Sequence, residues 1–480
     1  MKATIAVLNK RGEDATPAVT AALESLRREN VECFGMASPL TIAVGKDIRS
    51  LPVKNVCSSV IIGCAFQENE SPLAKMEKAA LAFDGRMYAP TLKPSSAIAV
   101  AEKLQREREK TAEKFVKSTE GDYSLIVAEP ERIMAARDPI GVQTLYYGET
   151  AACAALGSNR KLLWRLGIEE TRSFPPGHVG FVSREGCRFK PVKTLAYSEP
   201  KPIAMQNAAN SLSKMLKRSV RLRLRGVKEV AVAFSGGLDS SVIAFLAKKS
   251  CVDVRLIHVS LRGQPETDEA KKAADELKLP IEICLFREEE VAKVAAKVVE
   301  LIEEPSPVKA AIGIPFFWTA KKAADEGLKV LLAGQGADEL FGGYQRYVTE
   351  YLSDGEEAVR KMMFTDVTAL HESNIERDVK ICSFHDVELR LPFASYGIAE
   401  FALGLPVELK IEKDPKTLRK LVLRKVAADL GLPEVIVEKP KKAVQYATGI
   451  NSALRKLGKK HKSTVAEYVN KLFLNGLAEN

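Results

Sequence analysis

Apolar positions along the 480-residue chain follow two different rhythms. Up to about residue 195, short apolar or alternating runs at 4–8, 40–44, 56–63, 79–83, 123–128, 144–147 and 178–182 end at Gly, Pro, Asn or Asp, as strands closed by turns do. Only 16–28 and 95–117 repeat at helical spacing, so this part reads as strand-rich. The polar stretch Ser198-Glu199-Pro200-Lys201-Pro202 then marks a linker. Beyond it the pattern predicts a helix at 208–225, a strand at 230–234, a helix running to Lys249, a strand at 253–260 and a helix at 267–277. A strand at 281–285, helices at 291–302 and 317–324 and a strand at 329–332 follow. Strands alternating with helices imply a parallel sheet with its ligand at the carboxyl ends of the strands. From Gly342 onward the chain reads as helical, with few strand signals, a basic helix at 416–425 and an amphipathic tail at 452–480.

The junction Ser235-Gly236-Gly237-Leu238-Asp239-Ser240-Ser241 carries the most chemistry. Its glycines let the backbone approach an oxyanion, and the N–H groups and dipole of the next helix face that anion. Ser235, Ser240 and Ser241 add hydroxyl donors. Asp239 beside a phosphate is repulsive unless a cation lies between them, and Mg²⁺ suits carboxylate plus phosphate oxygens. The stretch therefore reads as a Mg-nucleotide site, and it is neither a Walker loop nor G-x-G-x-x-G. The plainer alternative is a glycine turn capping an ordinary helix. Gly334-Gln335-Gly336-Ala337-Asp338-Glu339 follows the strand at 329–332 and opens into the same crevice. Its glycines can also approach a phosphate, or the acidic pair can simply sit on the first turn of a helix.

A hydrophobic content of 46% without low-complexity tracts indicates two or three globular domains. Apolar runs are short and broken by charge, and the first residues lack a secretory signal's apolar region, so a cytoplasmic protein with no membrane partner is expected. The eight cysteines contain no C-x-x-C, which leaves free thiols rather than a zinc ribbon or dithiol motif. A net charge of +10 suits an anionic substrate, and solvated helix faces account for most of it, with nucleic acid the weaker alternative.

The string from Ser235 to Ser241 resembles the PP-loop of ATP pyrophosphatases, which cleave ATP between the α and β phosphates and adenylate a carboxylate or carbonyl. The stretch Leu331-Leu332-Ala333-Gly334-Gln335-Gly336-Ala337-Asp338-Glu339-Leu340-Phe341-Gly342-Gly343-Tyr344 and the later Glu388-Leu389-Arg390-Leu391-Pro392-Phe393 resemble the asparagine synthetase family and its β-lactam-forming relatives. Residues 205–455 are thus expected to form a synthetase-type PP-loop domain on an adenine nucleotide α-hydrolase-like parallel sheet with a helical C-terminal part, followed by a helical tail at 456–480. The resemblance implies that backbone near Val259 and Ser260 holds adenine, and that Asp239 and Asp338 share Mg²⁺. It also implies that Lys441, in Lys439-Pro440-Lys441-Lys442, faces the departing pyrophosphate. Lys442 is the nearby competitor and a basic surface loop the bland alternative. Glu388 would bind the substrate's amino group or act as base, unless it merely pairs with Arg390. Gln335 departs from the family, which usually carries a Glu thought to take a proton there. Either Glu339 or Glu388 serves instead, or the acceptor differs. Pro392-Phe393-Ala394-Ser395 replaces the usual Pro-Phe-Leu-Asp, which weakens the case for aspartate.

Residues 1–195 resemble the class II glutamine amidotransferase domain through Gly121-Asp122-Tyr123-Ser124-Leu125, the segment from Ala136-Arg137-Asp138-Pro139 to Gly148, and Pro175-Pro176-Gly177-His178. This implies an αββα Ntn-type fold. Glutaminase chemistry is expected to be absent. The family nucleophile is an N-terminal Cys, whereas Lys2 stands here and Cys33 lies too far along. The family's Asn-Gly oxyanion pair reads Asp84-Gly85, whose carboxylate opposes an oxyanion. Its Ser-Asp-x-Glu segment is matched only by Pro94-Ser95-Ser96-Ala97, and Arg11-Gly12-Glu13-Asp14 and Arg28-Glu29-Asn30 compete for its Arg-Gly-Pro-Asp. The domain would be kept for packing, dimerisation or another ligand. The expected whole is an ATP- and Mg²⁺-dependent carbon–nitrogen ligase acting on a small carboxylate, aspartate first, with ammonia as nitrogen source and AMP and pyrophosphate as products. β-Lactam-type ring closure, amidation of another metabolite and RNA modification are the alternatives.

Overall fold

In the first unit, Met1–Thr194, the alternating runs pair into two antiparallel sheets, because each buries one face against the other. The computed structural model describes residues 3–26, 31–52, 55–68, 71–90, 96–105 and 108–479. One sheet runs, edge to edge, Arg172–Ser173, Tyr146–Glu149, Cys153–Gly157, Ala3–Asn9, Val60–Phe66, Cys33–Ala37 and Ile42–Gly45. The other runs Gly186–Pro191, His178–Ser183, Ile133–Arg137, Glu120–Ala128, Ala79–Ala89 and Leu73–Met76. Leu8, Ile62, Phe66, Ile126 and Leu156 fill the space between the sheets. Helices Thr16–Glu24 and Arg160–Trp164 cover one outer face and Ala97–Leu104 and Arg108–Ser118 the other, giving the αββα layers expected.

The Arg-Asp-Pro stretch is the internal brace of this unit. Buried Arg137 donates to the carbonyls of Gln143 (2.6 Å), Phe174 (2.8 Å) and Gly141 (2.8 Å), and Asp138 accepts from the amides of Ile140, Gly141, Val142 and Gln143 at 2.8–3.1 Å. Several strands escape the sequence pattern. Cys33–Ala37 and Ile133–Arg137 are buried on both faces, so no alternation marks them. The helix expected over 95–117 is two helices, the first capped by Ser96, whose Oγ accepts from Ala99 N at 3.2 Å. Lys2, Arg28-Glu29-Asn30 and Pro94-Ser95 lie outside the described residues.

The second unit, Leu195–Asn480, is built on five parallel strands in the order Ile281–Phe286, Asp253–Leu261, Glu229–Ala233, Val330–Leu332 and Glu388–Arg390. Glu229–Ala233 comes first in the chain yet lies in the middle, with Asp253–Leu261 on one side and Val330–Leu332 on the other. Connections therefore leave it in opposite directions and open a crevice at its carboxyl end. The fifth strand, three residues between helices, extends the sheet within a stretch that is otherwise helical among the described residues, in keeping with the few strand signals beyond 342. The basic helix expected over 416–425 is corrected. Helix begins only at Leu421, and Lys420 caps it in the left-handed region at φ 64°. The tail boundary placed at 456 falls inside the helix Ile450–Lys460.

One buried cation stands apart from the site. Lys410 is 3% exposed and lines a small cavity with Arg360, Tyr197 and Phe364. Burial, aided by Arg360, pushes its ammonium down to about 7. Because the folded value lies below the unfolded one, the unfolded chain binds more protons between pH 7 and 10.5, and this group's contribution to stability rises with pH across that window. Lys410→Met is expected to stabilise the protein by roughly 1–3 kcal/mol at pH 7, with the gain shrinking by pH 10. Urea midpoints at the two pH values measure this, and a gain independent of pH contradicts it.

Candidate active site

The bend and the second glycine segment leave adjacent central strands and meet at the crevice. Glu229–Ala233 hands its chain to Ser235, and Val330–Leu332 hands its chain to Gly334. Gly236 sits at φ +66°, and a Cβ there would lie 2.7 Å from Ala270 Cα, so only glycine permits this bend. Gly237 N donates to Ser235 Oγ at 3.3 Å, and Ser240 Oγ donates to the Gly237 carbonyl at 3.2 Å. Ser241 is fully buried on the first turn of helix Leu238–Lys248, and its Oγ has no hydrogen-bond partner among the described residues. Ser235 is exposed and Gly237 and Asp239 are partly so, which leaves the bend open to a ligand.

Asp239 and Asp338 point at one centre, and that centre is an ammonium. Lys420 Nζ lies 2.7 and 2.6 Å from the two oxygens of Asp239 and 2.7 Å from Asp338 Oδ1, while Lys441 Nζ holds Asp338 Oδ2 at 2.7 Å. Burial alone would push the Asp338 carboxyl up, but the two ammonium groups outweigh it and hold it far below the usual carboxylate range. Gly343 makes the room, since a Cβ there would lie 1.9 Å from Asp338 Oδ1 and 2.5 Å from Lys420 Cε. Among the described residues no group of three or more His, Cys, Asp or Glu side chains converges. Two carboxylates on a common centre are a hard-oxygen donor set that suits Mg²⁺, with phosphate and water completing its shell.

A second polar layer lies behind the first. Gln335 Nε2 donates to Asp378, which is fully buried and held by Arg377 through contacts of 2.7 and 2.9 Å. Burial raises the Asp378 carboxyl against the pull of Arg377. Glu339, 3% exposed, accepts from Tyr344 Oη at 2.5 Å and Asn374 Nδ2 at 2.7 Å. Its carboxyl is raised by burial first and by Asp338 second. Val259 and Ser260 stand at the far end of Asp253–Leu261, past Ile257 where the ladder to Glu229–Ala233 ends. Buried His258 Nδ1 donates to the Phe234 carbonyl at 3.0 Å and fixes that end beneath the bend.

Not every expected residue joins this cluster. Glu388 pairs in register with Val330 at the start of its strand, several residues short of Gly334, and both its oxygens accept from Arg390 at 2.8 Å. Lys442 pairs with Glu266, and Lys439 with Glu269 at 2.9 Å, which leaves Lys441 as the member of that run directed at Asp338. Lys420, Asp378, Arg377, Asn374 and Tyr344 were not singled out from sequence. The only trace of Lys420 in the sequence is the second glycine of Gly342-Gly343, which must clear it.

In the first unit, Asp84 accepts from Gln143 Nε2. Cys64 is fully buried against Thr4, and burial pushes its thiol up to about 12, so it offers no thiolate.

Family and sequence comparisons bear on the same residues. The family model described as Asparagine synthase matches residues 211–354 and 348–480, and the model described as Glutamine amidotransferase domain matches 62–165. The chain is 32% identical over 410 residues to a protein named putative asparagine synthetase [glutamine-hydrolyzing] 1 of Methanocaldococcus jannaschii, covering 75% of each chain. It is 28% identical over 364 residues to asparagine synthetase [glutamine-hydrolyzing] of Zea mays, covering 72% of this chain and 60% of that one. A probable asparagine synthetase [glutamine-hydrolyzing] of Schizosaccharomyces pombe is 28% identical over 317 residues, covering 62% of this chain and 56% of that one. No helix among the described residues is long and apolar enough to cross a membrane. With its paired aspartates at the switch point of a parallel sheet, this chain belongs to the asparagine synthase family of ATP-using carbon–nitrogen ligases.

Proposed function

We propose that the second unit adenylates a small carboxylate, aspartate's side chain first, and that ammonia displaces AMP to give the amide. The observation that carries this reading is the convergence of Asp239 and Asp338 on one cation beside the Ser235 to Ser241 bend. Mg²⁺ held by Asp239 and Asp338 would neutralise the nucleotide's phosphates. Backbone N–H groups at Gly236 and Gly237 and the hydroxyls of Ser235, Ser240 and Ser241 supply donors to phosphate oxygens. Lys441, raised by its two aspartate neighbours against the opposing effect of burial, stays charged and can follow the leaving pyrophosphate.

The acceptor side is built for positioning rather than strong base catalysis. Gln335 turns its amide nitrogen to Asp378, so its oxygen remains to accept an N–H from an attacking amine, but an amide cannot keep the proton. Glu339, next to Asp338 in the same segment, is a carboxylate able to do so, and its raised affinity for protons favours that role. The same glutamine supports the second reading, another carboxylate acceptor or a ring closure in place of aspartate amidation. For nitrogen, Asp84 at the oxyanion position and the buried Cys64 thiol support free ammonia rather than glutamine.

Purified protein incubated with ATP, Mg²⁺, aspartate and ammonia is expected to yield AMP, pyrophosphate and asparagine in equal amounts, and ADP as product contradicts adenylation. AMP without asparagine shifts the assignment to another acceptor. Glutamine in place of ammonia is expected to leave asparagine formation at background by chromatography, and turnover with glutamine alone refutes the inactive first unit. Asp239→Asn and Asp338→Asn should each lower AMP formation by roughly 100-fold or more while thermal melting still shows a folded protein.

A further inference from the structure

We propose that Lys420 is a built-in counter-ion that fills the divalent-metal position between Asp239 and Asp338, so that the site takes up metal only together with nucleotide phosphate. This rests on the reading of those aspartates as the metal pair. Three contacts of 2.6–2.7 Å put one ammonium where a metal shared by both carboxylates must sit. The lysine is 2% exposed as a residue, and its backbone holds a left-handed φ of 64° that side-chain-bearing residues seldom adopt. That backbone is fastened on both sides: Arg424 N donates to the Lys420 carbonyl at 2.9 Å, and the next amide, Leu421 N, donates to the Lys410 carbonyl at 3.0 Å. The missing Cβ of Gly343 clears the lysine's Cε, so backbone, neighbour and charge all fit the ammonium in this place.

The consequence follows from charge and space. An ammonium and a Mg²⁺ cannot both occupy the one point shared by the two carboxylates, since the cations repel each other and the metal would need about 2.0–2.1 Å to each oxygen. A lone metal ion must therefore expel Lys420 from a buried ion pair with nowhere to place its charge. A triphosphate changes this: its oxygens offer the ammonium a new partner and give the metal the ligands the two aspartates cannot supply. Metal and nucleotide then assist each other's binding by the same factor. Lys441, which holds only the other oxygen of Asp338, does not bar the shared centre.

The test uses Mn²⁺ as probe with full-length protein and reads the free-Mn²⁺ electron paramagnetic resonance signal. Without nucleotide, the wild-type protein and Lys420→Arg are expected to leave Mn²⁺ free, while Lys420→Met binds it at least 10-fold more tightly. Addition of ATP should draw Mn²⁺ onto the wild-type protein. Loss of Lys420 leaves two carboxylates facing each other, so Lys420→Met should melt at a lower temperature than wild type and be restored by millimolar Mn²⁺. A Met variant that Mn²⁺ does not restore, or equal metal affinity in wild type and Met variant, overturns the proposal. AMP formation by the wild-type protein together with equal Mn²⁺ binding by wild type and Lys420→Met retires this inference alone. Competition between Lys420 and Mn²⁺ without any AMP formation retires the ligase reading and leaves the counter-ion standing.

Discussion

Two carboxylates aimed at one point beside the glycine-serine bend cannot stay together out of water unless a cation joins them. In this chain Lys420 and Lys441 meet that requirement for Asp239 and Asp338. The lysines come from the helical C-terminal part, and the Lys420 pair with Asp239 spans 181 positions of sequence. The charge balance therefore ties the last third of the chain to the carboxyl edge of a sheet made much earlier. It also explains Gly343, where any side chain would collide with the pair it frames.

The same logic of paired charge shapes the second layer. Arg377 and Asp378 are both almost wholly buried and paired, and Gln335 donates to the same carboxylate oxygen as Arg377 Nη2. A glutamate at 335 would set two carboxylates against each other there, whereas the amide donates. The amide at 335 is thus matched by its surroundings. Lys439 and Lys442, bound to Glu269 and Glu266 on the first turn of helix Glu266–Leu277, anchor the loop from which Lys441 reaches inward. Removing either pair would loosen the aim of Lys441 without touching the carboxylates it serves.

The first unit stands on packing and backbone hydrogen bonds. Its layers and the Arg137 and Asp138 brace depend on buried apolar faces and backbone hydrogen bonds, none of which needs a nucleophile. Asp84 accepts from Gln143 Nε2, and burial holds the Cys64 thiol protonated.

Local physics was enough for a large part of this. Short apolar runs marked the first part as strand-rich, while its layered αββα arrangement came from family resemblance; strand and helix alternation announced the parallel sheet, and the glycines and serines from Ser235 to Ser241 announced a tight bend, because each of these local signals lies within one turn or one strand. Strands buried on both faces, such as Ile133–Arg137, left no rhythm to read. Glu388 read as a substrate or base residue, with an ion pair to Arg390 as the plainer alternative, and only the fold sets it in register beside Val330 with two bonds from Arg390. Lys420 was hidden among the lysines and arginines of 416–425, where nothing in spacing distinguishes one from another. Its place between two aspartates is decided by how the chain folds back on itself, since an ion pair depends on distance in space, and a linear sequence carries that distance only for near neighbours.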